Sequence, residues 1–487
     1  MEPPHLPDLR PRWPGCWLAL VLALPALGQQ RPPPLAPTGA TAEPTSAALP
    51  GTPQVFTLEQ AQAYATAHQP TLLAARARLE AAVSTTRVPR ALWLPRLGVT
   101  AQEMIGTSNN TTAGYVSVGT LDLPRIGGTT AGTTGTWDPN GSSLAAVGLR
   151  QELFDFGRIS ALSALADAEA AAEKERSSLA TLAVRFQVEQ SYFAVLAAKA
   201  VLRASEAAYT RSLAHRDFAQ VGVAQGMRSP IELTRAAADL ARTDVLRIRA
   251  RGGLIEAQAV FAATVGVDAS RLDAADVPEV ETTVAPVPTM DQVLRELAAK
   301  DPSVRAAQAR VAAQEATTRV FTSALLPELF ISGTLSGRAG GAPTPTGAVP
   351  SGSGYVPNVP NWDAAIVLSW PILDFGVFAQ RSASQSQERA RQAELVEAGQ
   401  QSTTAIEQAY ASLEVAQAAV PGLQEALNAA VANSAQADAR FREGLGTSVE
   451  LADSEALRTD AEIQLAVGRF EVARARAYLG RVIAEGL

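Results

Sequence analysis

The chain has very little cysteine, histidine or lysine, and each shortage removes a class of function. Of 487 residues one is cysteine, Cys16, and three are histidine. Cys16 lies ahead of an apolar run near the N-terminus, so a chain cleaved after that run holds no thiol and can form no disulfide. His68 and His215, the histidines beyond that run, fall in separate helical patterns, which argues against a metal site or an activated nucleophile. Lysine occurs only as Lys174, Lys199 and Lys300, and 48 acidic residues outweigh 41 basic ones. No basic patch dominates, so nucleic acid is not an expected partner. Aromatics make up 5% of the residues while alanine is abundant. That balance favours long helices with small residues at their contacts.

What is present at the N-terminus reads as a secretory signal. Arg10 and Arg12 precede an apolar stretch over residues 17–27, and Ala26-Leu27-Gly28 offers a small-residue cleavage site before Gln29. The stretch falls short of the roughly 20 residues that a spanning helix needs, although an uncleaved anchor is the competing reading. The position of Cys16 gives no acylation site after the run, so no lipid anchor is expected. Residues 29–54, rich in Pro, Ala, Thr and Gly, form a flexible leader.

The rest of the chain is internally duplicated. Residues 57–97 align without gaps on 289–329, matching Gln60 with Gln292, Pro70 with Pro302, Arg78 with Arg310 and Leu94-Pro95 with Leu326-Pro327. Thr85-Thr86-Arg87-Val88 falls on Thr317-Thr318-Arg319-Val320 at the same offset of 232. Asp155-Phe156-Gly157 then matches Asp374-Phe375-Gly376 at an offset of 219, and Gly226 with Glu232-Leu233 matches Gly444 with Glu450-Leu451 at 218. The expected organisation is a signal (1–28), the leader (29–54), a first repeat (55–266), an acidic connector (267–288) and a second repeat (289–487). A period this long excludes the short solenoid repeats.

Each copy opens with a helical pattern, expected to run to Pro95 or Pro327, with Pro89 as an irregularity in the first. Thr57 with Gln60, and Thr289 with Gln292, have capping-box spacing. Strands follow. Leu97, Val99 and Ala101 alternate with Gly98, Thr100 and Gln102, and residues 329–336 repeat the pattern. Returning strands are expected near 144–153 and 364–372, each near the length of a tilted membrane strand, about 9–11 residues. Trp93, Trp362, Trp370 and Phe154 near strand ends suit an aromatic girdle, a soluble sandwich core being the alternative. Polar loops rich in Gly, Thr and Pro join the paired strands, over 106–143 and 337–363.

Very long helical patterns then run to about Gly222 and Phe441, each introduced by an aspartate cap and a corner glycine: Asp155 with Gly157, Asp374 with Gly376. At about 1.5 Å per residue each would be a rod of roughly 100 Å. Val188, Val195, Leu202 and Tyr209 form one stripe, and Leu179, Leu182, Phe186, Phe193 and Leu196 a second. Two stripes let one helix pack against a neighbour on either side, as in a wall around a tube. Return helices are expected over 229–265 and 448–483. The triplets Asp155-Phe156-Gly157 and His215-Arg216-Asp217 echo kinase motifs, but no glycine-rich strand loop precedes them and the required asparagine is missing. Nothing in the sequence reads as an enzyme, and no cofactor is expected.

This arrangement resembles the TolC-like outer-membrane efflux protein family over roughly residues 55–485. The resemblance rests on the duplication, the corners Leu153-Phe154-Asp155-Phe156-Gly157-Arg158 and Ile372-Leu373-Asp374-Phe375-Gly376, and the two turn motifs. It implies an α+β membrane protein with four β-strands and two long plus four shorter helices per chain. As a homotrimer it would form a 12-stranded β-barrel in outer-membrane lipid and a 12-helix α-barrel in the periplasm. It further implies a periplasmic adaptor and an inner-membrane pump as partners, and a duct that makes no bonds.

By the same resemblance, Glu450 and Asp453 line the tunnel entrance, their i, i+3 spacing placing both on one helical face. A solvated helix start near the dipole is the plainer reading of these acids. Glu232 is the first-tip equivalent of Glu450, whereas Arg235 stands opposite Asp453. The family's gating arginine, two residues after the second-tip glycine, is replaced by Gly446, and Arg228 occupies the matching first-tip position as a candidate gate. Gly226, Met227, Gly444 and Leu445 are candidate adaptor-docking residues. A protein-secretion channel would share this architecture, and a secreted coiled-coil scaffold or adhesin is the reading from another class.

Overall fold

The computed structural model describes residues 54–107, 139–267, 272–276, 288–296, 301–340, 356 and 359–485. The expected signal with Cys16, nearly all of the leader, most of both long loops and much of the connector lie outside them. Chain order is β1 (Gln54–Phe56), α1 (Leu58–His68), α2 (Pro70–Thr85), α3 (Arg87–Ala91), β2 (Arg96–Thr107), β3 (Pro139–Phe154), α4 (Arg158–Ala224) and α5 (Pro230–Val265). Then come β4 (Leu272–Ala274), α6 (Met290–Glu296), α7 (Pro302–Ser323), β5 (Glu328–Gly340), β6 (Val359–Ser369), α8 (Phe375–Arg442) and α9 (Ser448–Glu485).

The alternating segments form one antiparallel sheet in the order β2-β3-β5-β6. Its register places Val99 opposite Val147, Val147 opposite Leu335, and Leu335 opposite Trp362. These four side chains lie on one face and are open to solvent, Val99 and Trp362 by 77% and 79%. Thr100, Ala146 and Ser336 share the other face. A sheet greasy on one side and polar or small on the other is what a barrel wall in lipid requires. Trp93, Phe154 and Trp370 gather at the helix-proximal end of the sheet, joined by Phe156 and Phe375, while Trp362 lies toward the far end.

The opening helices are more broken than the sequence suggested. Pro70 and Pro302 each begin a helix, because proline lacks the N–H that a helix start leaves unused, and Gln69 before it is pushed to an extended ψ of 121°. A second break falls at Thr86, and Pro89 sits inside the short α3 instead of causing it. Residues 272–274 of the connector are also ordered, since β4 pairs in parallel with β1. Six strands and nine helices are therefore present among the described residues, more than the four and six expected.

The two rods are as long as predicted, α4 with 67 residues and α8 with 68. Their buried positions are mostly small, such as Ala161, Ala166, Ser205, Ala208 and Ser212 on α4. Near its start α4 packs on α2 and α7, and farther along on α5 and α9. Both stripes are used: Val188 and Val195 are fully buried, while Phe186 meets Tyr478 of α9 at 5.7 Å between ring centres. In contrast, α8 has α7 and α9 as its main partners and leaves a flank open.

The connector is tied to both rods. Tyr192 donates to the Ala275 carbonyl at 2.8 Å, and Tyr410, its counterpart one repeat later, donates to the Pro288 carbonyl at 2.6 Å. Lys199 adds bonds to the Ala274 carbonyl at 2.7 Å and to Asp273 at 3.0 Å.

Candidate functional site

At both strand-to-helix corners an aspartate caps the rod. Asp155, buried, accepts from Gly157 N at 3.1 Å and Ile159 N at 2.6 Å. Asp374 accepts from Val377 N at 3.1 Å. Gly157 does turn its corner, with φ of 95°, aided by Phe156 at φ 50°. Gly376 does not. It lies inside the first turn of α8, and its smallness spares a contact of 3.1 Å between a Cβ and the Asp374 carboxylate.

The two helical tips share one backbone design. Gly226 and Gly444 adopt φ of 71° and 76°, as the left-handed residue that ends a helix. Behind them Met227 N reaches the Gly222 carbonyl at 2.9 Å, and Leu445 N reaches the Arg440 carbonyl at 2.8 Å. The expected docking residues are thus brought to equivalent places. Met227 and Leu445 are 72% and 70% exposed, and the next helices present Ile231 and Val449 beside them. That last pair was visible as a repeat match but was not read as functional.

Glu450 begins α9 as expected, its backbone N–H held by the Thr447 hydroxyl at 3.2 Å. Its carboxylate is paired with Arg440 at 3.3 Å, a contact the sequence did not suggest. Asp453, one turn on, is exposed and has no partner among the described residues. In the first tip Glu232 is paired with Arg228 at 2.8 Å. Arg228 also donates to the Phe441 carbonyl at 2.5 Å, and its guanidinium lies 4.0 Å from the centre of the Phe441 ring. It therefore links the α4–α5 turn to the end of α8.

A cavity of about 380 Å³ lies between α4, α5 and α9 near the tips, lined by Ser212, His215, Asp239, Leu246, Ala452 and Glu455 among others. Two of its three carboxylates are occupied: Asp239 accepts from Ser212 at 2.9 Å, and Glu455 is held by Arg211 at 2.5 Å and Ser434 at 2.7 Å, while Asp460 also lines it. Among the described residues no cluster of His, Cys, Asp or Glu could hold a metal ion.

A sequence profile of the outer membrane efflux protein family matches residues 63–267 and 293–485, nearly the whole of both repeats. The chain belongs to that family. It is a family of outer-membrane channels rather than enzymes, and its TolC-like fold accounts for the duplicated helices and strands. Solved structures agree in fold. The outer-membrane channel OprN superposes with a TM-score of 0.72 at 21% identity, over 88% of this chain and 90% of its own. The Campylobacter jejuni CmeC outer membrane channel gives 0.72 at 14% identity, over 88% and 86%. The open state of the Neisseria gonorrhoeae MtrE outer membrane channel gives 0.67 at 18% identity, over 88% and 89%. A search of curated proteins found no match in sequence. No described helix is long and apolar enough to cross a membrane.

Proposed function

We propose that this efflux protein is the outer-membrane duct of a tripartite export system, three copies forming one tube. The observation that supports this best is the same open end in all three layers of the chain. The sheet runs β2-β3-β5-β6, the upper helices α2-α4-α7-α8, and the lower helices α5-α4-α9-α8. In each layer a second-repeat element ends with a free flank whose first-repeat equivalent is covered by the next repeat. A following copy, offering β2, α2 and α5, would complete every layer at once, and such a head-to-tail contact forms a ring where its rotation closes.

In the tube the apolar face of the sheet meets outer-membrane lipid and the helical tips hang in the periplasm. The exposed Met227, Ile231, Leu445 and Val449 are apolar contacts for a periplasmic adaptor, which connects the duct to an inner-membrane pump. Gly226 and Gly444 shape the turns that present them. At the entrance Asp453 carries the free negative charge and Glu450 a charge partly offset by Arg440. Threefold repetition converges these groups and favours cations. Arg228 holds the first tip against the second hairpin, a contact that must change for the entrance to widen.

The test is extraction and conductance. The protein should leave outer membranes only with detergent, run as a heat-modifiable trimer and form cation-selective channels in planar bilayers. Replacing Glu450 and Asp453 together by Ala should cut cation selectivity and divalent block. A soluble monomeric rod would end the channel reading, and unchanged selectivity would end the entrance assignment.

A further inference from the structure

The two tips carry the same two residue types in exchanged places. Across the repeat, Gly222 corresponds to Arg440 and Arg228 to Gly446. In each turn the backbone carbonyl of the earlier position accepts from the N–H of the later one, at 3.1 Å for Gly222 with Arg228 and 3.0 Å for Arg440 with Gly446. That bond draws the two α-carbons together, so the turn is crowded at this pair. A Cβ on Gly222 would stand 2.8 Å from Cδ of Arg228. A Cβ on Gly446 would stand 3.2 Å from both Cβ of Arg440 and N of Phe441. Each turn, as packed, holds one arginine and needs glycine opposite it.

The arginine serves the same glutamate from either side. Arg228 pairs with Glu232 and Arg440 with Glu450, and those glutamates are themselves repeat equivalents. The surroundings differ. The Arg228 side chain is 12% exposed, lying 4.0 Å from the centre of the Phe441 ring and 5.1 Å from that of Phe218. The Arg440 side chain is 57% exposed, and its recorded ion pair is with Glu450, within its own tip.

We infer that Gly222/Arg228 and Arg440/Gly446 are one interchangeable steric pair, and that its orientation decides whether a tip is clamped to the neighbouring hairpin. Gly222, Arg440 and Gly446 are then positioning residues. With arginine at the later position the guanidinium turns inward onto Phe441 and joins the two hairpins. With arginine at the earlier position the glutamate is still paired, but the hairpin is left unclamped. The steric part stands on the turn geometry alone, whereas the clamp part rests on the channel reading.

The test uses the full-length trimer with Gly222→Arg, Arg228→Gly and the double variant. Hydrogen exchange of peptides spanning residues 220–232 reports the turn, and open probability in planar bilayers reports the clamp. Gly222→Arg alone places two arginines where one fits and should speed exchange about tenfold or more. The double variant should return exchange to within about threefold of the native protein, a non-additive rescue that marks a coupled pair. Its open probability should stay raised, as in Arg228→Gly, because an arginine at 222 serves Glu232 without reaching Phe441. Exchange in the double variant as fast as in Gly222→Arg would overturn the interchange. Native open probability in the double variant, with Arg228→Gly raised, would overturn the clamp. An unaltered open probability in Arg228→Gly would remove the gate reading alone and leave the steric pair intact.

Discussion

The first and second repeats hold their connector with the same hydrogen bond but bury it differently. Tyr192 is 1% exposed, with the rings of Phe193 and Phe261 each 5.7 Å away in edge-on contact. Its cluster includes Leu72, Val188, Val195, Val265 and Leu272, all almost fully buried. Tyr410 is half-buried at the edge of a smaller cluster built on Val293, Ile406 and Leu479. Lys199 braces the first repeat against Asp273, and the second has Gln417 at that place. The second rod also carries Pro421, which removes a donor that the Gln417 carbonyl would use, where the first has Arg203. Duplication has kept backbone geometry and let packing diverge, leaving the first repeat as the firmer half.

The sharpest way to break that comparison is to truncate both tyrosines. Tyr192→Ala should cost about 3–5 kcal/mol, as expected for an aromatic removed from a closed core, and Tyr410→Ala about 1–2 kcal/mol. Urea titration in detergent, followed by helical circular dichroism, compares them, and equal costs would mean the two cores are equally tight. Replacement by Phe isolates the shared bond. Tyr192→Phe and Tyr410→Phe should each cost about 1 kcal/mol, since each loses one hydrogen bond.

The corners give a second, smaller contrast. Asp155 is buried and caps with two bonds, so Asp155→Ala should cost about 1–2 kcal/mol, at the upper part of the range for caps. Asp374 makes one bond at an exposed site, and Asp374→Ala should cost about 0.5 kcal/mol. The same titration decides, and a larger loss at Asp374 would reverse the ranking of the two corners.

These contrasts mark how far the residues alone could be read. The duplication, the sheet and the two rods were legible because period two, period seven and ungapped matches extend over many positions. The β1–β4 pair was not, since three residues carry no period and their partner lies more than 200 positions away. The helix breaks were half legible: Pro70 and Pro302 were matched, but proline is compatible with both a helix start and a distorted continuation. Gly226 and Gly444 are the left-handed residues of the two turns, and Glu450 and Asp453 lie at the start of α9, as turn spacing alone suggests. The ion pair of Glu450 with Arg440, and the crowding around Gly222 and Gly446, depend on Cβ positions across a turn. Spacing cannot reveal those.

Glu189 on α4 tests the first repeat at a partly buried charge. Burial raises its pKa above the ordinary carboxylate value, although a hydrogen bond from Gln62 at 2.6 Å and the charge of Arg185 act the other way. The folded protein therefore binds this proton more tightly than the unfolded chain. Stability from this group is fully present below the unfolded pKa and falls as pH rises through the folded one, because ionisation then opposes burial. Glu189→Gln keeps an acceptor for Gln62 and removes the charge. It should raise the urea midpoint slightly at neutral pH, by an amount that shrinks as pH falls toward and below the ordinary carboxylate pKa. A variant less stable than the native protein at neutral pH would show that the attraction to Arg185 outweighs desolvation, and the first repeat would then owe part of its firmness to that charge.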